Sequence, residues 1–117
     1  YFIQKNYQNA EADFTQVIDL NEENGKPHNA VVYSARALSR AELGDNAGAQ
    51  ADATEAIVLD GDNPDYYKIR GMLRFINGEQ ETSVTDLLKA EELYKEQGRE
   101  DEDLNAILGV LSQLGLL

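Results

Sequence analysis

The sequence predicts an all-α fold in which antiparallel helix pairs stack into a solenoid. Three observations support this prediction. Residues 30–63 recur in modified form as residues 64–97, apolar residues recur at the three- and four-residue steps of a helix, and a glycine stands at the turn inside each repeat. A single helix pair cannot bury its apolar face alone, so neighbouring pairs are expected to stack.

The repeat is visible when AVVYSARALSRAELGDNAGAQADATEAIVLDGDN (30–63) is aligned with PDYYKIRGMLRFINGEQETSVTDLLKAEELYKEQ (64–97). Eight pairs of positions, all with the same spacing, carry the same or a similar residue without any gap. They are Tyr33/Tyr67, Arg36/Arg70, Arg40/Arg74, Gly44/Gly78, Asp45/Glu79, Asp52/Asp86, Ala56/Ala90 and Leu59/Leu93. So many matches at one period are hard to attribute to chance, and we predict two complete repeats here.

Part of a third copy stands at the start of the sequence. NYQNAEADFTQVIDL (6–20) matches DNAGAQADATEAIVL (45–59), but its spacing is longer than that of the complete repeats by five positions. The additional residues fall within NEENGKPHN (21–29), a turn-rich stretch where an insertion costs little. Residues 1–24 are therefore predicted to be a partial repeat that begins inside a helix.

Each complete repeat reads as helix, turn, helix. In the first, Leu43–Gly44–Asp45 supplies a helix stop followed by an acidic restart, and residues 46–59 are rich in alanine. Alanine lets two helices approach closely and has the highest helix propensity. In the second repeat, Pro64 occupies the first helical turn, where its missing N–H removes no hydrogen bond.

The last segment, residues 98–117, is predicted to be a capping helix over the final repeat. Its acidic residues 100–103 favour the positive end of a helix dipole. An apolar stripe follows, formed by Leu104, Ile107, Leu108, Leu111 and Leu114. Terminal repeats need such a cover, although an interface between copies of the chain is the alternative use of this stripe.

Charge and composition exclude several classes of function. The 117 residues include 22 acidic and 10 basic side chains, a net charge of −12, so we expect neither nucleic acid nor an anionic membrane as partner. No cysteine is present, which removes thiolate chemistry and leaves the redox compartment open, with a cytoplasmic location as the expectation. No phosphate-binding loop or nucleophile–base pair is recognisable, so we expect no enzyme activity, no cofactor and no metal.

The stretch DGDNPD (60–65) invites comparison with a calcium loop. Asp60 and Asp62 fit the first two ligand positions, but Pro64 occupies the third and Asp65 stands where such loops need glycine. The alternative, which we favour, is a helix end followed by an Asp62 or Asn63 cap for the next helix.

Two charged pairs recur with the repeat, Arg36 with Asp52 and Arg70 with Asp86. A guanidinium can bind a carboxylate through two parallel hydrogen bonds, so we expect these residues to pair between packed helices, within one repeat or across a repeat boundary. The functional alternative is an arginine-lined ligand site. Asp13 preserves half of the pattern in the partial repeat.

These features resemble the tetratricopeptide repeat family, which has the same helix–turn–helix period. Its marks are Gly71 in a first helix, Ala49, Ala56 and Ala90 in second helices, and Gly44–Asp45 and Gly78–Glu79 in the turns. DFTQVIDLN and DATEAIVLD are similar to the end of a bacterial-type repeat. The departures are Tyr33 and Tyr67 for tryptophan, Gly61 for proline, Ala37 for glycine and Ser83 for alanine.

The resemblance implies a right-handed α–α superhelix of about two and a half repeats plus a capping helix. It also implies that first helices line a concave groove for a peptide or partner helix. The implied groove residues are Val31, Ser34, Leu38, Ala41 and Glu42 from the first complete repeat, and Asp65, Lys68, Met72, Phe75 and Ile76 from the second.

At the positions where some family members clamp a terminal carboxylate, this sequence has Ser34, Leu38, Asp65 and Ile69, and only Lys68 agrees. That mode of binding is therefore disfavoured. Leu38, Met72, Phe75 and Ile76 instead predict an apolar patch, unless packing between first helices buries them.

The expected function is a protein-interaction module that acts as an adaptor or scaffold. Its partner would be another protein or peptide, held by apolar anchors and selected by Lys68 and the acidic surroundings. The alternative is a structural segment of a larger repeat array or a self-associating unit. We expect a monomer or weak self-association.

Overall fold

The computed structural model describes residues 2–117, with side chains described from Ile3 onward. This part of the chain contains α-helices and no strand, so the all-α prediction is confirmed. The helices are α1 (Phe2–Glu23), α2 (Ala30–Glu42), α3 (Asn46–Leu59), α4 (Pro64–Ile76), α5 (Gln80–Glu96) and α6 (Glu102–Gln113).

The helices form two compact units. The first unit ends at Gly61 and contains α1, α2 and α3, in which α2 packs against both other helices. The second unit, Asp62–Leu117, contains α4, α5 and α6. In both units a short turn joins two extensively packed helices, so α2–α3 and α4–α5 are antiparallel pairs.

The turns inside the pairs end in a glycine with a left-handed backbone. Gly44 has φ 83° and Gly78 has φ 82°, a region that residues with a Cβ rarely adopt. The amide of Asp45 then donates to the carbonyl of Arg40 at 2.9 Å, and the amide of Glu79 donates to that of Arg74 at 2.8 Å. These bonds satisfy carbonyls that the helix end leaves open.

Polar side chains begin most of the later helices. Asn29, Asp45, Asn63 and Asp101 each accept a hydrogen bond from an amide in the first turn of α2, α3, α4 and α6. Asn63 is thus the cap in DGDNPD, one of the two residues predicted for that role. Pro64 follows it in the first turn of α4. The insertion after the partial repeat lengthens α1, which continues to Glu23, and residues 24–29 form the connection to α2.

The core of the second unit lies between α5 and α6. Its buried cluster is Leu87, Ala90, Tyr94, Leu104, Leu108 and Leu111. Of the predicted stripe on α6, Leu104, Leu108 and Leu111 are buried, but Leu114 is 60% exposed. Leu114 lies beyond the last helical residue and the chain turns at Gly115, so its side chain does not follow the stripe.

The first unit is packed through small residues. Ala49, Ala53 and Ala56 of the alanine-rich α3 are buried, and so is Ala37 of α2. Ile18 of α1 adds a larger buried side chain. Within the described part of the chain, no helix is long and apolar enough to span a bilayer.

Candidate partner-binding site

An apolar trough opens on the surface of the second unit, between α4 and α6. We define the trough by the residues that line it, which are Met72, Phe75, Ile76, Leu87, Ala106, Ile107, Val110 and Leu111. Its volume is about 280 Å³, and every lining residue is apolar. No polar side chain in this lining could orient a hydrophilic ligand, so the trough suits aliphatic or aromatic groups.

Helical spacing produces the trough. On α4, residues 72, 75 and 76 recur at steps of three and four and so share one face, while Leu73 turns into the protein and is buried. On α6, residues 106, 107 and 110 share a face beside the buried leucines 104, 108 and 111. Leu87 and Leu111 are buried, so they form the floor.

The walls of the trough are more exposed than core residues. Met72 is 39% exposed, Phe75 36% and Ile76 74%. These α4 side chains are therefore partly exposed and do not belong to the core of the second unit. Met72 adds an unbranched, polarisable chain that can adapt to different partner side chains.

The residues expected on α2 lie in the first unit and take no part in the trough. Val31, Leu38 and Glu42 are exposed, while Ser34 and Ala41 are half-buried. The hydroxyl of Ser34 donates to the carbonyl of Val31 at 2.9 Å. The structure thus offers apolar surface on α2 at two positions of the predicted set.

Asp65 and Lys68 have internal partners that the sequence did not reveal. Lys68 Nζ lies 2.9 Å from Asp101 Oδ2, and the hydroxyl of Tyr94 donates to Asp65. Tyr94 also contacts Asp101 at 3.3 Å, and Arg99 lies 3.8 Å from Asp65. These bonds join the start of α4 to the end of α5 and the start of α6, so Asp65 and Lys68 anchor the helices that build the trough.

The same contacts shift two pKa values. Burial, reinforced by the hydrogen bond to Asp65, raises the pKa of Tyr94, which keeps its hydroxyl protonated and able to donate. The hydrogen bond from Lys68 lowers the pKa of Asp101, with a further contribution from the amide of Leu104. Asp101 is thus held ionised, where it both pairs with Lys68 and caps α6.

Leu87, Ala106 and Val110 are the trough residues for which the sequence predicted no role. Ile107 and Leu111 were predicted only for the stripe of α6, and they pack against the core of the second unit while also lining the trough. The available signal was the breadth of the apolar surface of α6, which covers two adjacent faces. A helix that needs only a core contact carries one such face.

The recurring arginine–aspartate pairs lie within each repeat, one of the two arrangements predicted. Arg36 Nε and Nη2 reach the two oxygens of Asp52 at 2.8 and 2.7 Å. Arg70 bonds Asp86 in the same way at 2.9 and 2.8 Å. A second arginine, Arg40 or Arg74, donates to the same carboxylate at 3.1 or 2.9 Å.

These pairs are structural. Asp52 and Asp86 are each only 3% exposed, and each lies between two arginines that neutralise it. The bidentate bond to Asp52 or Asp86 raises the pKa of Arg36 and of Arg70. The guanidinium groups of Arg36 and Arg70 are thus both bound to a carboxylate of their own repeat, which argues against an arginine-lined ligand site.

The first four residues of the acidic stretch 60–65 connect α3 to α4, and its last two residues begin α4. Asp60 ends α3, and the carbonyl of Asp62 accepts a bond from the side chain of Gln97 at 2.6 Å. Among the residues that the structure describes, no three histidine or carboxylate side chains are grouped closely enough to hold a metal ion.

Two solved structures have a fold similar to that of this chain. The first tetratricopeptide-repeat domain of Spaghetti (RPAP3), solved with the HSP90 peptide SRMEEVD, is 26% identical with a TM-score of 0.80, covering 97% of this chain and 83% of that one. The Sgt2 tetratricopeptide-repeat domain from Aspergillus fumigatus is 21% identical with a TM-score of 0.79, covering 96% and 70%. No family model matches the sequence, and no curated protein matches it either. The fold is that of tetratricopeptide-repeat domains, which confirms the resemblance at the level of fold.

Proposed function

We propose that this chain is a protein-interaction module whose trough holds an apolar segment of another protein, so that it acts as an adaptor or scaffold. The observation that carries the proposal is the exposed, wholly apolar lining formed by α4 and α6. Exposed apolar patches rimmed by polar surface mark interaction sites more often than other surface. The solved relative with a bound HSP90 peptide supports this use of the fold.

The size of the trough favours peptide side chains over a small molecule. Small-molecule pockets usually enclose about 300–1,000 Å³ and contain a few oriented polar groups. This trough has about 280 Å³, is open to solvent along one side and contains no such group. A few apolar side chains from one face of a helix, or from an extended segment, match it better.

Charge selects the flanks of that segment. Residues 62–117 contain twelve acidic and six basic side chains, a net charge of −6, and every one of the six basic groups lies within 4 Å of a carboxylate. Asp103 is exposed on α6, one turn before Ala106 and Ile107 of the trough. The resulting negative field attracts a basic segment and accelerates its association.

The same features disfavour an acidic peptide such as SRMEEVD, which the RPAP3 domain binds. Lys68, the one matching residue of a carboxylate clamp, has Asp101 at 2.9 Å. Freeing Lys68 would leave Asp101 without its cation, beside Asp65 and Tyr94. We therefore propose an apolar segment with basic flanks as the partner.

Selection of binders from a random peptide library tests this proposal. We expect enriched peptides to combine apolar residues at three- and four-residue spacing with lysine or arginine flanks, and their binding to weaken as salt rises. Ile76→Glu is the informative variant, since Ile76 is 74% exposed and its change should leave the fold intact. It should weaken binding by about tenfold or more.

Leu88→Glu is the matched control, because Leu88 lies in the same unit, is 42% exposed and does not line the trough. It should bind selected peptides as the unaltered chain does. Enrichment of acidic C-terminal peptides, or equal loss of binding in both variants, would contradict the proposal.

A further inference from the structure

The two walls of the trough, α4 and α6, run in the same direction. Helices α4 and α5 are antiparallel, and the short connection 97–101 reverses the chain again, so that Leu87 and Leu111 meet in the floor. Lys68 in the first half of α4 lies 2.9 Å from Asp101, the residue that caps α6. Both walls therefore begin at the same end of the trough, which we call its starting end.

The apolar lining restricts the backbone conformation of a bound segment. Every lining residue is apolar, and the backbone N–H and C=O groups of both walls are bonded within α4 or α6. An extended segment pressed against these walls would leave the N–H and C=O groups on its buried side without partners, which costs free energy. A helix bonds these groups internally and presents only side chains to the walls. The trough therefore favours a helix over an extended segment.

One acidic side chain continues the α6 wall towards the starting end. Asp103 precedes Ile107 by four residues and Val110 by seven, so helical spacing places all three on one face of α6. Asp103 is exposed, and its carboxylate forms neither a hydrogen bond nor an ion pair with any residue that the structure describes. Asp101, by contrast, is bound by Lys68. Asp103 is thus a carboxylate in line with the apolar wall and available to a cation of a bound segment.

Charge at the starting end favours one direction of a bound helix. The carboxylate of Asp103 attracts a lysine or arginine, and a helix accommodates such a residue best in its last turn, beside its own negative end. The first turns of α4 and α6 carry a positive partial charge, which also favours the carbonyl end of a bound helix. Both effects place the last turn of the bound helix at the starting end, so the helix runs antiparallel to α4 and α6.

The charge of the chain argues against a second copy as the source of this helix. The net charge is −12, so two copies repel each other, whereas a basic segment of another protein is attracted. The described helices with a basic residue in the last turn are α2, α4 and α5, and each is packed within its own unit. Charge complementarity therefore favours a helix supplied by a partner protein.

We propose that the trough binds an amphipathic helix of a partner protein, antiparallel to α4 and α6, with a lysine or arginine of its last turn bound to Asp103. This inference rests on the proposed function, since it takes a partner in the trough as given, and it adds the conformation, the direction and the residue that recognises the charge. From Asp103 to Leu111, α6 rises by about 12 Å, so a little over two turns of the bound helix make contact. Its apolar residues therefore precede the basic residue by one and two turns.

Two synthetic peptides of identical composition test the direction. Both have the same apolar face and are held helical by a side-chain cross-link on the opposite face. The first carries two lysines in its last turn, and the second carries them in its first turn. Titration into the full chain by calorimetry should show about fivefold tighter binding of the first peptide. Equal affinities, or tighter binding of the second peptide, would overturn the proposal.

Glu81 provides the matched control for Asp103. Both are exposed acidic residues in the first turn of a helix, but Glu81 lies at the start of α5, next to the end of α4 and thus away from the starting end. Asp103→Asn should weaken binding of the first peptide by about fivefold. Glu81→Gln removes the same charge and should change the affinity by less than about twofold. Equal effects of the two variants would indicate only a general negative field and overturn the pairing with Asp103.

Nitroxide labels test the direction independently of affinity. The sequence contains no cysteine, so Glu102→Cys and Gln113→Cys each provide a single attachment site, at the first and the last residue of α6, and both positions are exposed. In an isotope-labelled first peptide without the cross-link, the label at 102 should broaden the NMR signals of the last turn, and the label at 113 those of the first turn. The Cα chemical shifts of this peptide should become helical on binding. The opposite broadening pattern, or extended shifts, would overturn the proposal.

Ile76→Glu separates failure of this inference from failure of the proposed function. If Ile76→Glu abolishes binding of library-selected peptides while Asp103→Asn leaves it unchanged, or if the first peptide does not bind at all, the trough still holds a partner and only this inference fails. If Ile76→Glu has no effect on any bound peptide, both fail. Sedimentation of the chain alone tests the remaining occupant, since a dimer that Ile76→Glu dissociates would place a second copy in the trough and overturn the partner helix.

Discussion

The helix pairs α2–α3 and α4–α5 have the same charged residues at the same repeat positions, but the apolar residues packed between their helices differ. In both pairs an aspartate that is 3% exposed accepts hydrogen bonds from two arginines one turn apart. Where the first pair has alanine at both 37 and 53, the second has Gly71 and Leu87. We call these groups the charged frameworks, Arg36, Arg40 and Asp52 in the first pair and Arg70, Arg74 and Asp86 in the second. Each framework fixes how its two helices are aligned, whereas the space between the helices is filled by side chains whose sizes compensate one another.

The surroundings of the frameworks also differ. In the first pair Arg40 has a second carboxylate, since Glu11 of α1 lies 2.9 Å from its Nε. Arg74, its counterpart, has only Asp86 as a carboxylate within ion-pair distance among the residues described. In the second pair, α6 completes the core through its leucines. The first framework is thus supported by a further charge, and the second by a larger apolar core.

Removing the central carboxylate should give the largest effect on stability. Asp86→Asn leaves Arg70 and Arg74 beside a neutral group in a mostly buried site, which we expect to cost about 3 kcal/mol of unfolding free energy. Asp52→Asn should cost about 1 kcal/mol less, because Glu11 still neutralises Arg40. Urea unfolding followed by circular dichroism measures both.

Asp13→Asn serves as the control for these two variants, since it removes an aspartate at the same repeat position without removing an ion pair. It should change stability by less than about 0.5 kcal/mol. Equal losses for Asp52→Asn and Asp86→Asn would show that Glu11 adds nothing to the first framework.

An intermediate effect is expected from the packing difference. Gly71→Ala places a Cβ 2.8 Å from Leu87 Cγ and 3.1 Å from Asp86 Cβ, so we expect a net loss of about 1–2 kcal/mol despite the better helix propensity of alanine. After Leu87→Ala, the same change should become neutral or stabilising by up to about 1 kcal/mol, because alanine at both positions reproduces the first pair. A double-mutant cycle in urea measures the coupling.

The complementary change in the first pair, Ala37→Gly, provides the comparison. It should cost about 1 kcal/mol, because glycine lowers helix propensity and no neighbouring side chain gains space that it needs. If Gly71→Ala cost the same with and without Leu87, the contact between these two positions would not explain the glycine.

The smallest effect concerns the contact between Lys68 and Asp101. Asp101→Asn keeps a good helix cap but removes the charge, and we expect a loss of up to about 1 kcal/mol at neutral pH. The folded state lowers the pKa of Asp101 below its ordinary 3.8, so the stabilisation is present above pH 3.8 and is lost as pH falls through the lower folded value. The stabilities of the two chains should therefore converge in acid, as urea midpoints at several pH values can test.

Much of the fold could be predicted because each repeat is defined by residues that lie close together in the sequence. The constant spacing of the two complete repeats located the turns at Gly44 and Gly78, and the recurrence of arginine and aspartate predicted bonds that the structure contains. Leu38, Met72, Phe75 and Ile76 were predicted to form an apolar patch. The structure brings the three residues of α4 together in one trough, whereas Leu38 is exposed on α2 and does not line it.

The remaining features depend on contacts outside the repeat. Asp101 lies beyond the second complete repeat and Lys68 near its beginning, so no counterpart elsewhere in the sequence indicated their ion pair. The α6 wall of the trough was missed for the same reason, since residues 98–117 have no second copy for comparison.

The short sequence separation of the arginine–aspartate bonds has a consequence for folding during synthesis of the chain. The arginine–aspartate bonds within α2–α3 and α4–α5 join residues only 12 or 16 positions apart. Helical proteins dominated by such local contacts fold in about microseconds to milliseconds, whereas a ribosome adds about 5–20 residues each second. Every partner of the first framework has been synthesised by Asp52, before α4 begins at Pro64. The first framework can therefore form on the nascent chain before the second, whose last partner, Asp86, is synthesised 34 residues after Asp52.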